Sequence, residues 1–168
     1  LLARFDRDVT PFKPDLLILT AGINDANPDR KTPPETTRNN LIELRRRTEQ
    51  FGGEVLFQTY YSADLEKLCE TRPDWVVNYQ KYTDIIREVA GEMINDNFTR
   101  WERLRLANVK AYRLLMRDPL HLNPVGNAVI GLDLLRLLDL PLPDENLPWI
   151  RDGIFAQYCM DLLEENEK

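Results

Sequence analysis

The run Asp15-Leu16-Leu17-Ile18-Leu19-Thr20-Ala21-Gly22 decides the fold class of this chain. It is short, apolar and ended by a glycine, which is typical of a buried strand in a parallel sheet. A second run, Val55–Tyr60, is rich in residues that favour strands. Between the two, Pro33 and Pro34 open a predicted helix that Gly52-Gly53 ends. Strands that alternate with helices predict an α/β fold with a mostly parallel sheet.

Two further helices follow from capping residues and apolar spacing. Asp74 is the predicted N-cap of one, and Asn123 caps another that has Pro124 at its first position and ends near Asp139. Residues 92–95 fit either a last helical turn or a short strand, and residues 98–115 form an irregular region with helical pieces. The apolar face of the first helix consists of Tyr79, Tyr82, Ile86, Val89 and Met93.

The chain divides into one domain and a C-terminal extension. Residues 1–140 are of a size for a single domain, and the prolines 141, 143 and 148 punctuate a linker in residues 141–168. An amphipathic helix begins at about Trp149. It packs on the domain's own core or, alternatively, forms an oligomer contact or a lid.

Composition excludes several classes of function. The formal charge is −6, and an acidic surface argues against a nucleic-acid partner, because phosphate binding needs a basic face. No apolar run approaches the length of a membrane span. Cys69 and Cys159 match no metal spacing, so the compartment stays open. Asp25 and Asp29 suggest a metal, but nothing nearby completes a ligand set, and we expect no metal or organic cofactor.

Two short motifs carry the candidate chemistry. His121, the single histidine, follows Asp118 by three positions, so Asp118 could orient the imidazole as a general base; the alternative is a structural histidine in a loop. Gly22-Ile23-Asn24-Asp25 follows the first strand, at the sheet edge where ligands bind in open parallel sheets. There the Asn24 amide could donate to an oxyanion, or the block could be only a polar turn.

Together, Gly22–Asp25 and Asp118-Pro119-Leu120-His121-Leu122-Asn123-Pro124-Val125-Gly126 resemble the SGNH hydrolases, also called the GDSL lipase/esterase family. The approach Lys13-Pro14-Asp15 is similar as well, and the resemblance covers roughly residues 11–140. It implies a three-layer α/β/α, flavodoxin-like fold and hydrolysis of an acyl ester. It also implies His121 as general base, Asp118 as its orienting partner, and Asn24 and Gly22 as contributors to the oxyanion hole.

The chain departs from the family at the nucleophile. The family's serine belongs to a Gly-Asp-Ser block on a strand upstream of Gly-x-Asn-Asp, and neither Ser nor Gly precedes Gly22 here. Ser62 is the only serine in the chain. It has no glycine-flanked turn to expose its hydroxyl, so it fits a helix cap better than a substitute nucleophile.

We therefore expect a fragment that lacks its first strand, because a sheet without that strand leaves buried backbone groups unpaired. The expected function is that of a serine ester hydrolase whose serine lies upstream, acting on a small-molecule acyl ester. The alternative is a non-catalytic binding or interaction module with the SGNH fold. A homo-oligomer through the C-terminal helix is compatible with either hypothesis.

Overall fold

A computed structural model describes residues 1–143 of the chain. Three strands, β1 (Leu16–Thr20), β2 (Glu54–Gln58) and β3 (Ile94–Asn95), form a parallel sheet in the order β1-β2-β3. The helices are α1 (Phe5–Asp8), α2 (Pro34–Glu49), α3 (Leu65–Thr71), α4 (Pro73–Ala90), α5 (Asn97–Ala107), α6 (Val109–Leu114) and α7 (Pro124–Leu137). The predicted α/β class with a parallel sheet is confirmed.

The described chain forms two compact units. Among the described residues, the first comprises 1–60 and 69–98, and the second comprises 61–68 and 99–143. The single domain over residues 1–140 stays a prediction. The helix expected from about Trp149 lies outside the described residues. Within residues 1–143, every helix is too short or too polar to cross a membrane.

The first unit is built around the sheet. Its α2 begins at Pro34, whose fixed φ suits a first helical position, and the chain turns at Gly52 with a φ of 90°. Burial of apolar side chains from the sheet and from helices α1, α2 and α4 supplies the main stabilising free energy of the unit. The core contains Phe5, Leu19, Leu41, Leu44, Val55, Phe57, Ile85, Ile86, Val89 and Ala90.

Strand β1 is less buried than its sequence predicts. In the part of the chain that the structure describes, β1 pairs only with β2 and therefore forms an edge of the sheet. Leu19 is buried, but Leu16 and Ile18 are 37% and 38% exposed. An apolar edge strand with a free row of backbone groups is a place where a further strand can pair.

The structure corrects the prediction for the second long helix. Helix α4 begins at Pro73, and Asp74 lies inside its first turn, where its carboxylate accepts from the N–H of Trp75. Met93 lies beyond the helix end and is 40% exposed. The open choice for residues 92–95 is settled in favour of strand β3. Proline at the first position defined this start more strongly than the acidic residue after it.

Helix α3 is the helix that the predicted cap at Ser62 implies, although its extent was not predicted, because it is only two turns long and buries a single leucine, Leu68. The carboxylate of Asp64 accepts from the backbone N–H of Lys67 in its first turn, at 3.4 Å. The cap that the sequence assigns to Ser62 is thus supplied by Asp64. The region of residues 98–115 consists almost wholly of α5 and α6.

In the second unit, α7 packs closely against the end of α6. Asn123 caps α7 as predicted, because its side-chain oxygen accepts from the N–H of Gly126 at 3.0 Å. A Cβ added to Gly126 would lie 2.4 Å from the backbone oxygen of Leu115. The chain therefore needs a residue without a side chain at this position.

Gly126→Ala is expected to lower the free energy of unfolding by about 1–3 kcal/mol, because a backbone oxygen cannot move aside for the methyl group. Gly131→Ala is the matched control in the same helix, since a Cβ there meets nothing within 4 Å. It should raise the free energy of unfolding by about 0.5–1 kcal/mol, through the higher helix propensity of alanine. Urea denaturation measures both changes, and equal effects of the two substitutions would contradict the close packing at Gly126.

Candidate functional site

Asp118 and His121 form a hydrogen-bonded pair in the loop between α6 and α7. The Nδ1 atom of His121 lies 2.9 Å from each carboxylate oxygen of Asp118. The loop closes on itself, because an antiparallel bridge joins Met116 to Leu122 and the N–H of Arg117 donates to the carbonyl of His121 at 2.7 Å. The predicted acid–base pair is thus brought together by a tight turn.

The carboxylate of Asp118 is held in its ionised form. Its Oδ1 atom accepts from the backbone N–H groups of Leu120 at 2.9 Å and His121 at 2.8 Å. Partial burial acts to raise the pKa of Asp118, but these two hydrogen bonds and the one from the imidazole outweigh burial and lower the pKa to about 2. Asp118 therefore accepts from Nδ1–H at every pH near neutrality, which leaves Nε2 of His121 as the basic nitrogen.

Tyr61 also holds this loop in place. Its role was not predicted from the sequence. Its hydroxyl donates to the carbonyl of Leu120 at 2.8 Å and accepts from the N–H of Leu122 at 3.2 Å. These two bonds flank His121 on the chain, so they hold the backbone from which the imidazole projects. The ring of Tyr61 packs against that of buried Trp101 at an angle of 47°, with the ring centroids 5.6 Å apart. The only signal in the sequence was a tyrosine shortly after a strand.

The Gly22–Asp25 block forms a tight turn directly after β1. Residues Ile23–Ala26 make one 3-10 turn, and Ile23 and Ala26 are buried beneath it. Gly22 has a φ of 102°, in the region that favours glycine. Asp25 is fixed by the hydroxyl of Thr37, which donates to its Oδ2 at 2.9 Å. The side chain of Asn24 is left exposed on a well-anchored turn.

A cavity of about 500 Å³ adjoins this turn within the first unit. Gly22, Asn24 and Asp25 contribute to its wall, together with Arg30 and Asn40. Pockets of this volume commonly hold small-molecule ligands. The block that the sequence singled out for an oxyanion therefore opens onto a space that can admit a substrate.

Ser62 is unsuited to act as an exposed nucleophile in this structure. It is fully buried, and its hydroxyl donates to Glu102 at 2.5 Å. Glu102 is held in turn by Arg105 at 2.6 Å. Burial acts to raise the pKa of Glu102, but the hydrogen bonds from Arg105 and Ser62 lower it overall, so the carboxylate stays charged beside the serine. The hydroxyl of Ser62 is therefore part of a hydrogen-bonded cluster with Glu102 and Arg105.

Neither aspartate of the suggested metal site has ligand partners around it. Asp25 is bonded by Thr37, and Asp29 pairs with Arg72 at 3.1 Å. Within residues 1–143, no three side chains of histidine, cysteine, aspartate or glutamate come together as a metal site would require.

The comparisons identify the family. The model of the GDSL-like lipase/acylhydrolase family matches residues 1–129, so the chain belongs to this family. Two solved structures share its fold. A lipase/acylhydrolase from Enterococcus faecalis is 23% identical, with a TM-score of 0.65 over 82% of this chain and 67% of that chain. An acetyl xylan esterase is 22% identical, with a TM-score of 0.70 over 82% of this chain and 74% of that chain. No curated protein matches the chain.

The resemblance drawn from the Gly22–Asp25 and Asp118–Gly126 blocks is thereby confirmed at the level of family and fold. Both blocks fall within the matched residues. Gly22 and Asn24 belong to the first unit of the structure, and Asp118 and His121 belong to the second.

Proposed function

We propose that this chain supplies the general base and part of the oxyanion-binding machinery of a serine ester hydrolase. The observation that carries the proposal is the Asp118–His121 pair, in which both carboxylate oxygens lie 2.9 Å from Nδ1. A carboxylate in this position fixes the tautomer and stabilises the imidazolium that forms during proton transfer. Membership of the acylhydrolase family supports the same reaction class.

The reaction begins when a serine hydroxyl attacks the carbonyl carbon of a small-molecule acyl ester. Nε2 of His121 takes the serine proton as the new bond forms, and the carbonyl oxygen becomes an oxyanion. His121 then gives the proton to the departing alcohol oxygen as the ester bond breaks. Water, activated by the same imidazole, releases the acid from the acyl-enzyme. The side-chain amide of Asn24 and the N–H of Gly22 are assigned to the oxyanion.

The nucleophilic serine belongs, in this proposal, to a segment outside the 168 residues. Ser62 is the only serine in the sequence and is buried against Glu102. Among residues 1–143, nothing pairs with the outer edge of β1, so a strand carrying the serine could pair there. No metal or organic cofactor is needed for this chemistry.

The 168-residue chain is expected to show negligible hydrolysis of 4-nitrophenyl acetate, because its one serine is inaccessible. A longer protein from the same gene that carries an upstream Gly-Asp-Ser block should hydrolyse the ester and lose activity when that serine becomes alanine. Release of 4-nitrophenol measures the rates. Ser62→Ala is the matched control and should leave the rate of the folded longer protein within about threefold, as expected away from reacting atoms.

Robust turnover by the 168-residue chain that Ser62→Ala abolishes would contradict the upstream nucleophile. A gene without an upstream serine block, together with inactivity on a panel of acyl esters, would instead support the alternative of a non-catalytic binding module. The coding sequence upstream of Leu1 and the 4-nitrophenol release assay together distinguish these two outcomes.

A further inference from the structure

We infer that Arg30 selects acyl esters that carry a carboxylate, by pairing with that carboxylate in the cavity beside Asn24. The inference rests on the proposed function and names the substrate class of the same site. Arg30 contributes to the wall of the 500 Å³ cavity that Gly22 and Asn24 also line. Within residues 1–143, it is the only lysine or arginine side chain on that wall.

Within residues 1–143, the guanidinium of Arg30 is unpaired. Among the described residues, no aspartate or glutamate forms an ion pair with Arg30 within 4.0 Å. Asp29, next to Arg30 in the chain, pairs with Arg72, and Asp25, on the same cavity wall, accepts from Thr37. Arg30 therefore keeps its donors for a ligand, and a guanidinium matches a carboxylate with two parallel hydrogen bonds.

The loop that carries Arg30 is fastened to α4, so the backbone at Arg30 has a defined position. Arg72 donates to Asn27 at 3.2 Å and to Asp29 at 3.1 Å. Asn78 donates to the carbonyl of Ala26 at 3.1 Å, and the hydroxyl of Tyr82 donates to the carbonyl of Thr32. A loop held at both ends and in the middle loses little entropy when it binds a ligand.

The loop is also ordered internally. Asn27 caps the short turn Pro28–Arg30 by accepting from the N–H of Asp29 at 3.0 Å. Lys31 ends the turn with a φ of 51°, in the left-handed region. Arg30 thus stands on a closed turn, whereas the neighbouring cation Lys31 does not line the cavity.

Asn40, on the same cavity wall, adds a second polar anchor. It lies on α2 and is half-buried. An amide on this wall can donate to an ester or carboxylate oxygen as well as accept from an alcohol. The cavity therefore offers a charged donor and a neutral amide on the wall that Asn24 also lines, which suits an acyl ester that carries a carboxylate.

Binding to the 168-residue chain tests this inference without requiring catalysis. Monomethyl succinate and methyl pentanoate, a neutral ester of similar length, are titrated into ¹⁵N-labelled protein, and amide shifts are followed. Monomethyl succinate is expected to shift the amides of Gly22, Arg30 and Asn40 and to bind at least about tenfold more tightly, the scale of one charge-assisted hydrogen bond.

Three variants separate the charge of Arg30 from other effects. Arg30→Gln should remove the preference for the anionic ester, Arg30→Lys should keep part of it, and the neighbouring control Lys31→Gln should leave it unchanged. Equal binding of the two esters, no binding of either, or a preference that survives Arg30→Gln would overturn the inference. Arg30 is exposed, so the substitutions should leave the fold intact, which circular dichroism checks.

Turnover by the longer protein distinguishes this inference from the proposed function. Arg30→Gln should lower kcat/KM for 4-nitrophenyl hemisuccinate about 10- to 100-fold and change that for 4-nitrophenyl butanoate less than about threefold. If neither ester is hydrolysed but Arg30 governs binding of monomethyl succinate, the hydrolase proposal fails and the anion site stands. If both esters are hydrolysed with an unchanged ratio in Arg30→Gln, the hydrolase stands and this inference fails.

Discussion

His121→Ala is expected to lower kcat/KM of the longer, serine-containing protein at least about 1,000-fold, measured with 4-nitrophenyl acetate. Without the imidazole, nothing at this position takes the proton from the attacking hydroxyl or returns it to the departing alcohol. The side chain of His121 is 55% exposed, so its loss should change the free energy of unfolding by less than about 1 kcal/mol. A folded mutant with the rate of the wild type would exclude His121 as the base.

Asp118→Asn provides a sharper companion variant. The amide oxygen can still accept from the backbone N–H groups of Leu120 and His121, so the turn should survive. However, the negative charge that stabilises an imidazolium is gone, and a drop of about 100- to 10,000-fold in kcat is expected. A full rate in this variant would mean that Asp118 serves the loop and not the imidazole.

The acidic limb of the pH profile adds an independent check. The pKa of Asp118 is lowered to about 2, so its contribution to stability is fully present above the ordinary aspartate range and is lost only as the pH falls through about 2. Any loss of activity between pH 5 and pH 7 must therefore come from a group other than Asp118.

Asn24→Ala is expected to lower kcat about 100- to 1,000-fold with little change in KM, because an oxyanion-hole donor acts mainly in the transition state. Asn24→Asp should be at least as damaging, since a carboxylate of the same shape repels the developing negative charge. Stopped-flow or steady-state assays of the longer protein with 4-nitrophenyl acetate give both constants.

The control for Asn24 is Asn39→Ala, which removes an exposed amide outside the cavity wall. It should leave kcat within about twofold. Asn24→Ala should unfold at the same urea concentration as the parent, because the turn is held by buried Ile23 and Ala26 and by the Asp25–Thr37 bond. Asn39→Ala should unfold at the same or a slightly higher urea concentration, because Asn39 is an exposed position of α2 and alanine has the higher helix propensity. A loss of activity in both would point to general damage and would remove the case for Asn24.

Much of the fold was predictable because it depends on local sequence. The apolar run at Leu16–Thr20, the prolines before α2 and the Asn123-Pro124 cap each fix the backbone within a few residues. The Asp118–His121 bond was predictable for the same reason, since the two residues are three positions apart and one turn joins them. Sequence patterns capture such short-range interactions well.

Features that depend on distant residues were not predictable. Tyr61 reaches the His121 loop across about 60 positions, and Ser62 meets Glu102 across about 40. The extent of helix α3 was not predicted, because its single buried leucine gives no periodic pattern. The exposure of Leu16 and Ile18 followed from the number of strands beside β1, which composition does not specify.

The sequence by itself determined the α/β class, the turn after β1 that displays Asn24, and the pairing of Asp118 with His121. Each of these depends on dihedral preferences and hydrogen bonds between near neighbours in the chain. Only the tertiary structure decided that Ser62 is buried, that Tyr61 braces the base, and that Arg30 lies on a cavity wall with no ion pair among the described residues. These features depend on which distant side chains packing brings into contact, and short sequence patterns do not encode that choice.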